Sequence, residues 1–182
     1  AAELFDELAQ QTGEAADRMA AMRALAHIRQ HEAAITQGEA ALAQGLSDED
    51  ERALRTELAN LYEAQGYRLR RESEAGRAAR SFDRAIELDP SRTRLLAESG
   101  YAWLADGSRD GAARRFGEAI DALLARVDAQ DEGSLAAQRD DALRERLRRE
   151  LRELRRDWTF AFFQSWRPRA GAPAAGFSGL QR

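Results

Sequence analysis

The chain has 182 residues, of which 43% are hydrophobic and 33% charged, and its formal net charge at pH 7 is −4. This composition is typical of a folded domain, and so small a negative charge argues against a general affinity for nucleic acid. The chain contains no cysteine, which excludes disulfides, thiol nucleophiles and thiolate metal sites. No stretch approaches the roughly 20 apolar residues that a membrane-spanning helix needs.

The first segment, residues 1–46, has helical patterns rich in alanine. Apolar residues near the start predict a short amphipathic helix that ends near Gly13. From 14 to 45 the pattern fits either one long helix or two helices broken near Gly38. A hairpin of such small-residue helices would be a degenerate copy of the repeats that follow, although the spacing alone does not establish this.

The second segment, residues 47–126, contains an internal repeat. Ser47 precedes four acidic residues, a combination that favours a helix start because it suits the positive end of the helix. A shift of 34 positions then aligns 59–92 with 93–126 without a gap. The matching pairs are Leu61 with Leu95, Gly66 with Gly100, Tyr67 with Tyr101, Ala78 with Ala112, Phe82 with Phe116, Ala85 with Ala119 and Ile86 with Ile120.

The repeated residues have the sizes that packed helix hairpins require. Gly66 and Gly100 permit two helices to cross closely, since neither has a side chain. Phe82 and Phe116 can fill the space between successive helices. Pro90 cannot continue a helix and therefore ends the second helix of the first copy.

The repeated pattern resembles the signature of tetratricopeptide (TPR) repeats. The first copy matches at Gly66, Ala78, Phe82, Ala85 and Pro90, and the second at Gly100, Trp103, Gly107, Ala112, Phe116 and Ala119. The resemblance implies an all-α fold, a TPR-like stack of antiparallel helix hairpins forming a right-handed α-solenoid.

Two positions depart from the TPR pattern. Ser73 replaces the glycine between the helices of the first copy, and Leu124 replaces the terminal proline of the second. We therefore expect the first turn to be displaced, with its leading helix running on through Arg71.

The third segment, residues 127–157, is predicted to be a loop up to Ser134 and then a long charged helix. This helix has one narrow apolar stripe, so it can cover only one neighbour. It is suited to capping the open end of a repeat stack. The stripe consists of Leu143, Leu147, Leu151, Leu154 and Trp158.

The last segment, residues 158–182, begins with aromatic residues that alternate from Trp158 to Trp166. If extended, these residues share one face, as in the opening strand of an outer-membrane barrel. The alternative is a helix that continues through Phe163 and packs its aromatic side chains on the stack. Pro168–Arg182 is rich in glycine, alanine and proline, which predicts a mobile tail.

The order of repeats, charged helix and aromatic segment gives a second resemblance, carried by Leu147–Trp158. It is similar to the region ahead of the barrel in bacterial outer-membrane exopolysaccharide-export proteins and in the phage adsorption protein A family. This resemblance implies a periplasmic, outer-membrane-associated module of a larger envelope protein, with a neighbouring barrel. The alternative is a cytosolic TPR adaptor, although the chain lacks the lysines of the asparagine-and-lysine clamp of chaperone-binding relatives.

The leading helices of TPR repeats line a concave groove, and the expected groove residues follow by position. Two tyrosines flanked by arginines would form an amphipathic, locally basic groove for a protein or peptide partner with acidic groups, or for an anionic polysaccharide. The alternative is that both tyrosines pack between neighbouring helices. The expected groove residues are Asn60, Glu63, Tyr67, Arg70, Arg71, Arg94, Ala97, Tyr101 and Leu104.

Other chemistry finds little support in the sequence. His27 and His31 could share a metal ion on one helix face, but no third ligand stands out, so we expect no metal site. The carboxylates are spaced like helix-surface ion pairs, and no glycine-rich phosphate loop is present. We therefore expect no catalytic residue and no cofactor. The predicted function is a non-enzymatic scaffold for protein–protein docking, with a guide for anionic polysaccharide during export as the alternative.

Overall fold

The computed structural model describes residues 14–127 and 135–165, and all regular structure in these ranges is helical. Each helix packs mainly against the helices before and after it. This contact pattern defines an α-solenoid and confirms the predicted TPR-like stack of helix hairpins. The helices are α1 (Ala15–His27), α2 (His31–Leu42), α3 (Asp48–Arg71), α4 (Ala75–Leu88), α5 (Arg94–Ala105), α6 (Arg109–Val127) and α7 (Leu135–Ser165).

The two repeats form equivalent hairpins, α3–α4 and α5–α6. A Cβ atom on Gly66 would stand 2.6 Å from Cε1 of Phe82, and the second hairpin pairs Gly100 with Phe116 in the same way. Both phenylalanines are fully buried. The two helices of each hairpin can pack this closely because the glycine leaves room for the aromatic ring.

The turns inside the hairpins share one backbone geometry. Arg29, Ser73 and Gly107 all adopt a left-handed conformation, with φ of 62°, 62° and 83°. In each turn the amide of the next residue donates to the carbonyl five residues earlier, as in the Schellman motif that ends many helices. These bonds run from Gln30 to Leu25 (3.0 Å), from Glu74 to Leu69 (2.9 Å) and from Ser108 to Trp103 (2.9 Å).

This shared geometry corrects one prediction. The leading helix of the first repeat does run through Arg71, but the turn that follows is not displaced. Ser73 adopts the left-handed conformation itself, in the place that Gly107 has in the second repeat. The packing of the hairpin fixes the turn and overrides the local preference of serine.

In the first hairpin, α1–α2, the first helix ends at His27 and the second begins at His31. The expected break of the helix near Gly38 is therefore wrong. Gly38 lies inside α2, where a Cβ atom would stand 2.6 Å from Cδ2 of Leu58 and 2.7 Å from Sδ of Met22. The glycine therefore permits close packing and does not mark a chain reversal.

The α1–α2 hairpin corresponds to α3–α4 at an offset of 44 residues. At this offset Met22 takes the place of Gly66, and Gly38 takes the place of Phe82. The large residue thus lies on the first helix and the small one on the second, which reverses the arrangement in the two repeats. The offset exceeds 34 because α3 has 24 residues whereas α5 has 12.

Helix α7 covers the end of the stack, as expected of a capping helix. Leu147 and Leu154 are buried in the same core cluster as Phe116 of the second repeat. The backbone of α7 remains helical to Ser165, beyond the expected end at 157. The backbone at 158–165 therefore agrees with the helical alternative, and the strand interpretation is wrong there.

Several predictions fall on other parts of the chain. The short helix before Gly13, the loop before Ser134, Trp166 and the tail after it lie outside the described residues. Among the helices that the structure describes, none combines the length and apolar content needed to cross a bilayer.

Candidate functional site: the groove of the leading helices

The leading helices α1, α3 and α5 and the capping helix α7 lie side by side, and side chains connect each helix to the next. Because these side chains are partly or largely exposed, they lie on the face that the leading helices present to solvent. We call this face the leading-helix groove. Its connections are Arg23 with Glu57 (2.8 and 3.0 Å), Arg94 with Glu63, Arg70 with Glu98, and Arg146 stacked 5.1 Å above the ring of Tyr101.

In each of the three ion pairs the arginine is the more exposed partner. The exposed fractions of the side chains are 54% for Arg23 and 35% for its glutamate, 48% for Arg70 and 30% for its glutamate, and 67% for Arg94 and 13% for its glutamate. A row of guanidinium groups therefore lies outermost on the groove. The predicted basic character is thus modified, since glutamates below the arginines balance their charge.

A second arginine, Arg92, which is largely buried, also pairs with Glu63. Arg92 donates to Glu63 (2.8 Å), to Asp89 (2.9 Å) and to Oδ1 of Asn60 (2.7 Å). Since Arg92 occupies the carbonyl oxygen of the exposed Asn60, the amide N–H groups of Asn60 remain to donate to a ligand.

The two repeated tyrosines pack in the same way in their hairpins. Tyr67 meets Phe82 edge-on at 5.1 Å between ring centroids, and Tyr101 meets Phe116 edge-on at 5.0 Å. Both are half-buried, and burial raises the pKa of each hydroxyl above its ordinary value, so both stay protonated at neutral pH. The tyrosines therefore serve hairpin packing.

The remaining expected groove residues differ in their surroundings. Ala97 is buried, Leu104 packs against the core cluster to which Phe116 and Leu147 belong, and Arg71 is exposed at the end of α3. Arg70 lies 5.1 Å above the ring of Tyr67. The structure therefore brings Asn60, Glu63 and Arg94 together at one point of the groove, whereas Leu104 belongs to the core of the second repeat and its cap.

An open cleft between α1 and α3 lies beside Asn60 and adds further residues that the sequence did not indicate as groove residues. It has a volume of about 350 Å³. Its apolar side chains are Met22, Ala26 and Leu61, and its polar side chains are Arg23, His27, Glu57 and Asn60. The signal that could have found this cleft was the offset of 44 residues, which relates α1 to α3.

The histidines do not form the arrangement considered for a metal ion. His27 ends α1 and His31 begins α2, so the turn at Arg29 separates them. Within residues 14–127 and 135–165, no three histidine, aspartate or glutamate side chains gather in a way that could hold a metal ion.

The described fold defines a TPR-like helical scaffold. No family model matches the chain, and no curated protein matches it. Similar solved structures include two crystal structures of MamA. One is 21% identical with a TM-score of 0.43 and covers 74% of this chain and 67% of that chain; the other is 15% identical with a TM-score of 0.41 and covers 89% of each.

A third similar structure is the Sgt2 TPR domain from Aspergillus fumigatus, 18% identical with a TM-score of 0.38, covering 90% of this chain and 91% of that chain.

Proposed function

We propose that the chain is a non-enzymatic scaffold that docks a protein partner in the leading-helix groove. The observation that carries the proposal is the row of exposed arginines, each held by a less exposed glutamate of the neighbouring leading helix. Neighbouring helices fix these groups in position, which reduces the entropy that a ligand must overcome to meet them.

The ion pairs of the groove are weak enough for a ligand to replace the glutamates that hold the arginines. Exposed ion pairs contribute about 0–1 kcal/mol each, so a ligand carboxylate can compete with the resident glutamates at small cost. Guanidinium groups bind carboxylates with two parallel hydrogen bonds and so give the contact direction as well as energy. The groove therefore suits an extended ligand that meets several leading helices in turn.

This function is tested by selecting, from a displayed library of random peptides, those that bind the full chain. We expect selected peptides to bind in solution and to lose affinity for Asn60→Phe, because the larger, uncharged side chain crowds the groove and removes the amide donor. The control is Ala125→Phe, which places the same side chain at an exposed position of the trailing helix α6. If no peptide binds, or if both variants bind equally well, the groove is not a docking site.

For location, we propose the bacterial periplasm, in an envelope protein of the exopolysaccharide-secretion or phage-adsorption type. The support is the order of repeats, charged helix and aromatic segment in the sequence. A full-length gene that encodes an export signal ahead of this region would agree with the proposal. Fractionation of the native protein with the cytosol would instead favour a cytosolic adaptor.

A further inference from the structure

We infer that the C-terminal end of α7 binds the surface of a lipid bilayer that contains anionic lipids. Three features of this helix end point to a lipid surface: it extends beyond the stack, its sequence is rich in aromatic residues, and arginines flank it. This part of the molecule is separate from the leading-helix groove, so binding of lipid here does not depend on the proposed docking function.

The turns inside the three hairpins lie along one edge of the stack, which we call the turn edge. Arg68 of α3 pairs with Glu32 of α2 at 2.9 Å, which places the first turn beside the end of α3. A Cβ atom on Gly76, near the start of α4, would stand 2.5 Å from Oδ1 of Asp106 in the third turn. The turn edge consists of residues 28–30, 72–74 and 106–108.

Helix α7 extends beyond the turn edge. Arg126, near the end of α6, pairs with Asp140 of α7 at 3.4 Å. Arg109, the first residue of α6, lines a small cleft together with Arg155 of α7. The two helices are therefore antiparallel, and the helical backbone of residues 157–165 continues past the start of α6. At about 1.5 Å per residue this extension is roughly 13 Å long.

The sequence of this extension is rich in aromatic residues. Trp158, Phe160, Phe162 and Phe163 lie within it, and Trp166 follows. Positions two apart on a helix differ by about 200°, so Phe160 and Phe162 fall on nearly opposite sides. One neighbouring helix cannot cover both sides. The interfacial region of a bilayer can surround a helix end, and tryptophan is enriched there.

The charge around the aromatic residues selects anionic lipids. Residues 155–182 contain five arginines and one acidic residue, whereas residues 1–154 contain eight more acidic residues than arginines. Positive charge beside an apolar membrane-binding segment strengthens its attachment to anionic lipids, while the rest of the chain is repelled. The arginines next to the aromatic residues in the sequence are Arg155, Arg156, Arg167 and Arg169.

The length of the extension determines how it meets the bilayer. Roughly 13 Å is less than half of the ~30 Å hydrocarbon core, so the helix end binds within the interfacial region. This placement turns the turn edge towards the lipid. Ile28, which is 49% exposed, lies on that edge and adds an apolar side chain to the surface that meets the bilayer.

The test is flotation of the full chain with lipid vesicles in a density gradient. We expect the chain to float with mixed phosphatidylcholine–phosphatidylglycerol vesicles. With pure phosphatidylcholine vesicles, or with the mixed vesicles in high salt, the bound fraction should fall at least about tenfold. A chain that floats with neither kind of vesicle would overturn the inference.

The role of the aromatic residues is tested by Phe160→Ser combined with Phe163→Ser. This double variant should bind the mixed vesicles at least about tenfold more weakly, because apolar area no longer enters the bilayer. The control is Leu124→Ser, which removes an exposed large apolar side chain near the other end of α6 and should bind like wild type. Equal losses in the variant and the control would mean adsorption without a defined site and would overturn the inference.

The role of the flanking arginines is tested by Arg155→Gln combined with Arg156→Gln. Binding to the mixed vesicles should again fall at least about tenfold, whereas Arg80→Gln combined with Arg114→Gln, at exposed positions of the trailing helices, should leave it unchanged. An equal loss in both pairs would show a general charge effect and would contradict a site at the end of α7.

Thermal unfolding of the free chain separates lipid binding from a role of the aromatic residues in the fold. The variant with Phe160→Ser and Phe163→Ser should unfold at the wild-type temperature, because the extension lies beyond the stack. A lower unfolding temperature, together with a wild-type chain that does not float, would assign these residues to the folded core and overturn the inference.

Discussion

Gly100 packs against the ring of Phe116, so close that a Cβ atom on Gly100 would stand 2.5 Å from both Cδ1 and Cε1 of the ring. Because Phe116 is fully buried, the ring has no free space into which it could move. Gly100→Leu should therefore lower the free energy of unfolding by about 3 kcal/mol through overpacking.

The matched control is Gly117→Ala in α6, where nothing lies within 4 Å of the added atom. This substitution should raise the free energy of unfolding by about 0.5–1 kcal/mol, since alanine favours helix more than glycine. Urea denaturation measures both changes. A Gly100→Leu protein as stable as wild type would show that the glycine has no packing role.

The turn at Ser73 gives a prediction of the opposite sign. Serine in the left-handed conformation is strained, whereas glycine adopts it readily. Ser73→Gly should raise the free energy of unfolding by about 0.5–1 kcal/mol, and Gly107→Ala should lower it by about 1 kcal/mol. Thermal unfolding of the two variants tests the pair, and a destabilised Ser73→Gly would contradict the equivalence of the turns.

Asp83 connects three elements of the stack. Its carboxylate accepts from Nε of Arg115 (2.8 Å), from Nε1 of Trp103 (3.0 Å) and from the hydroxyl of Ser99. Asp83→Asn removes the charge opposite a largely buried Arg115, and we expect a loss of about 2–4 kcal/mol in the free energy of unfolding. Asp121→Asn, at an exposed position of α6, is the control and should stay within about 0.5 kcal/mol of wild type.

Tyr62 should be the last tyrosine of the folded chain to ionise. Burial, together with the Glu39 carboxylate that accepts its hydrogen bond at 3.0 Å, raises the pKa of Tyr62 from 10.0 to about 12. A raised pKa means that the stability contributed by the protonated form is complete below pH 10.0 and is lost as pH rises towards about 12.

The ultraviolet absorbance of tyrosinate measures this titration. Tyr62→Phe should remove the highest-pH step and flatten the decline in stability over the same pH range. A titration in which that step persists without Tyr62 would show that another tyrosine is the one more strongly perturbed.

The capping helix gives a prediction confined to one end of the stack. Leu147 is fully buried against the second repeat, and Leu147→Ala should cost about 2–4 kcal/mol. Hydrogen exchange should accelerate in α6 and α7 much more than in α1, because repeats contact only their neighbours. Arg149→Ala, at an exposed position of α7, is the control; uniform acceleration along the chain would instead show one fully cooperative unit.

The sequence predicts the two repeats well because Gly66 and Phe82 depend on local packing that recurs at a constant interval. It leaves the first hairpin open, because Met22 and Gly38 perform the same packing with their sizes exchanged and so hide the repeat. Nor does it predict the α1–α3 cleft or the partners of Arg23, which depend on how separate hairpins align. The left-handed turn at Ser73 was missed because tertiary packing overrides the local preference of a serine.

The exchanged sizes of Met22 and Gly38 also determine which helices can pair while the chain folds. If α1 took the place of α3 beside α4, Met22 would collide with the ring of Phe82. If α2 took the place of α4 beside α3, so that Gly38 faced Gly66, a hole would remain between the two glycines. The free energy of a mispaired intermediate is therefore raised both by the collision and by the cavity. The exchanged sizes therefore favour the native pairing at the first boundary, although the hairpins share one backbone geometry.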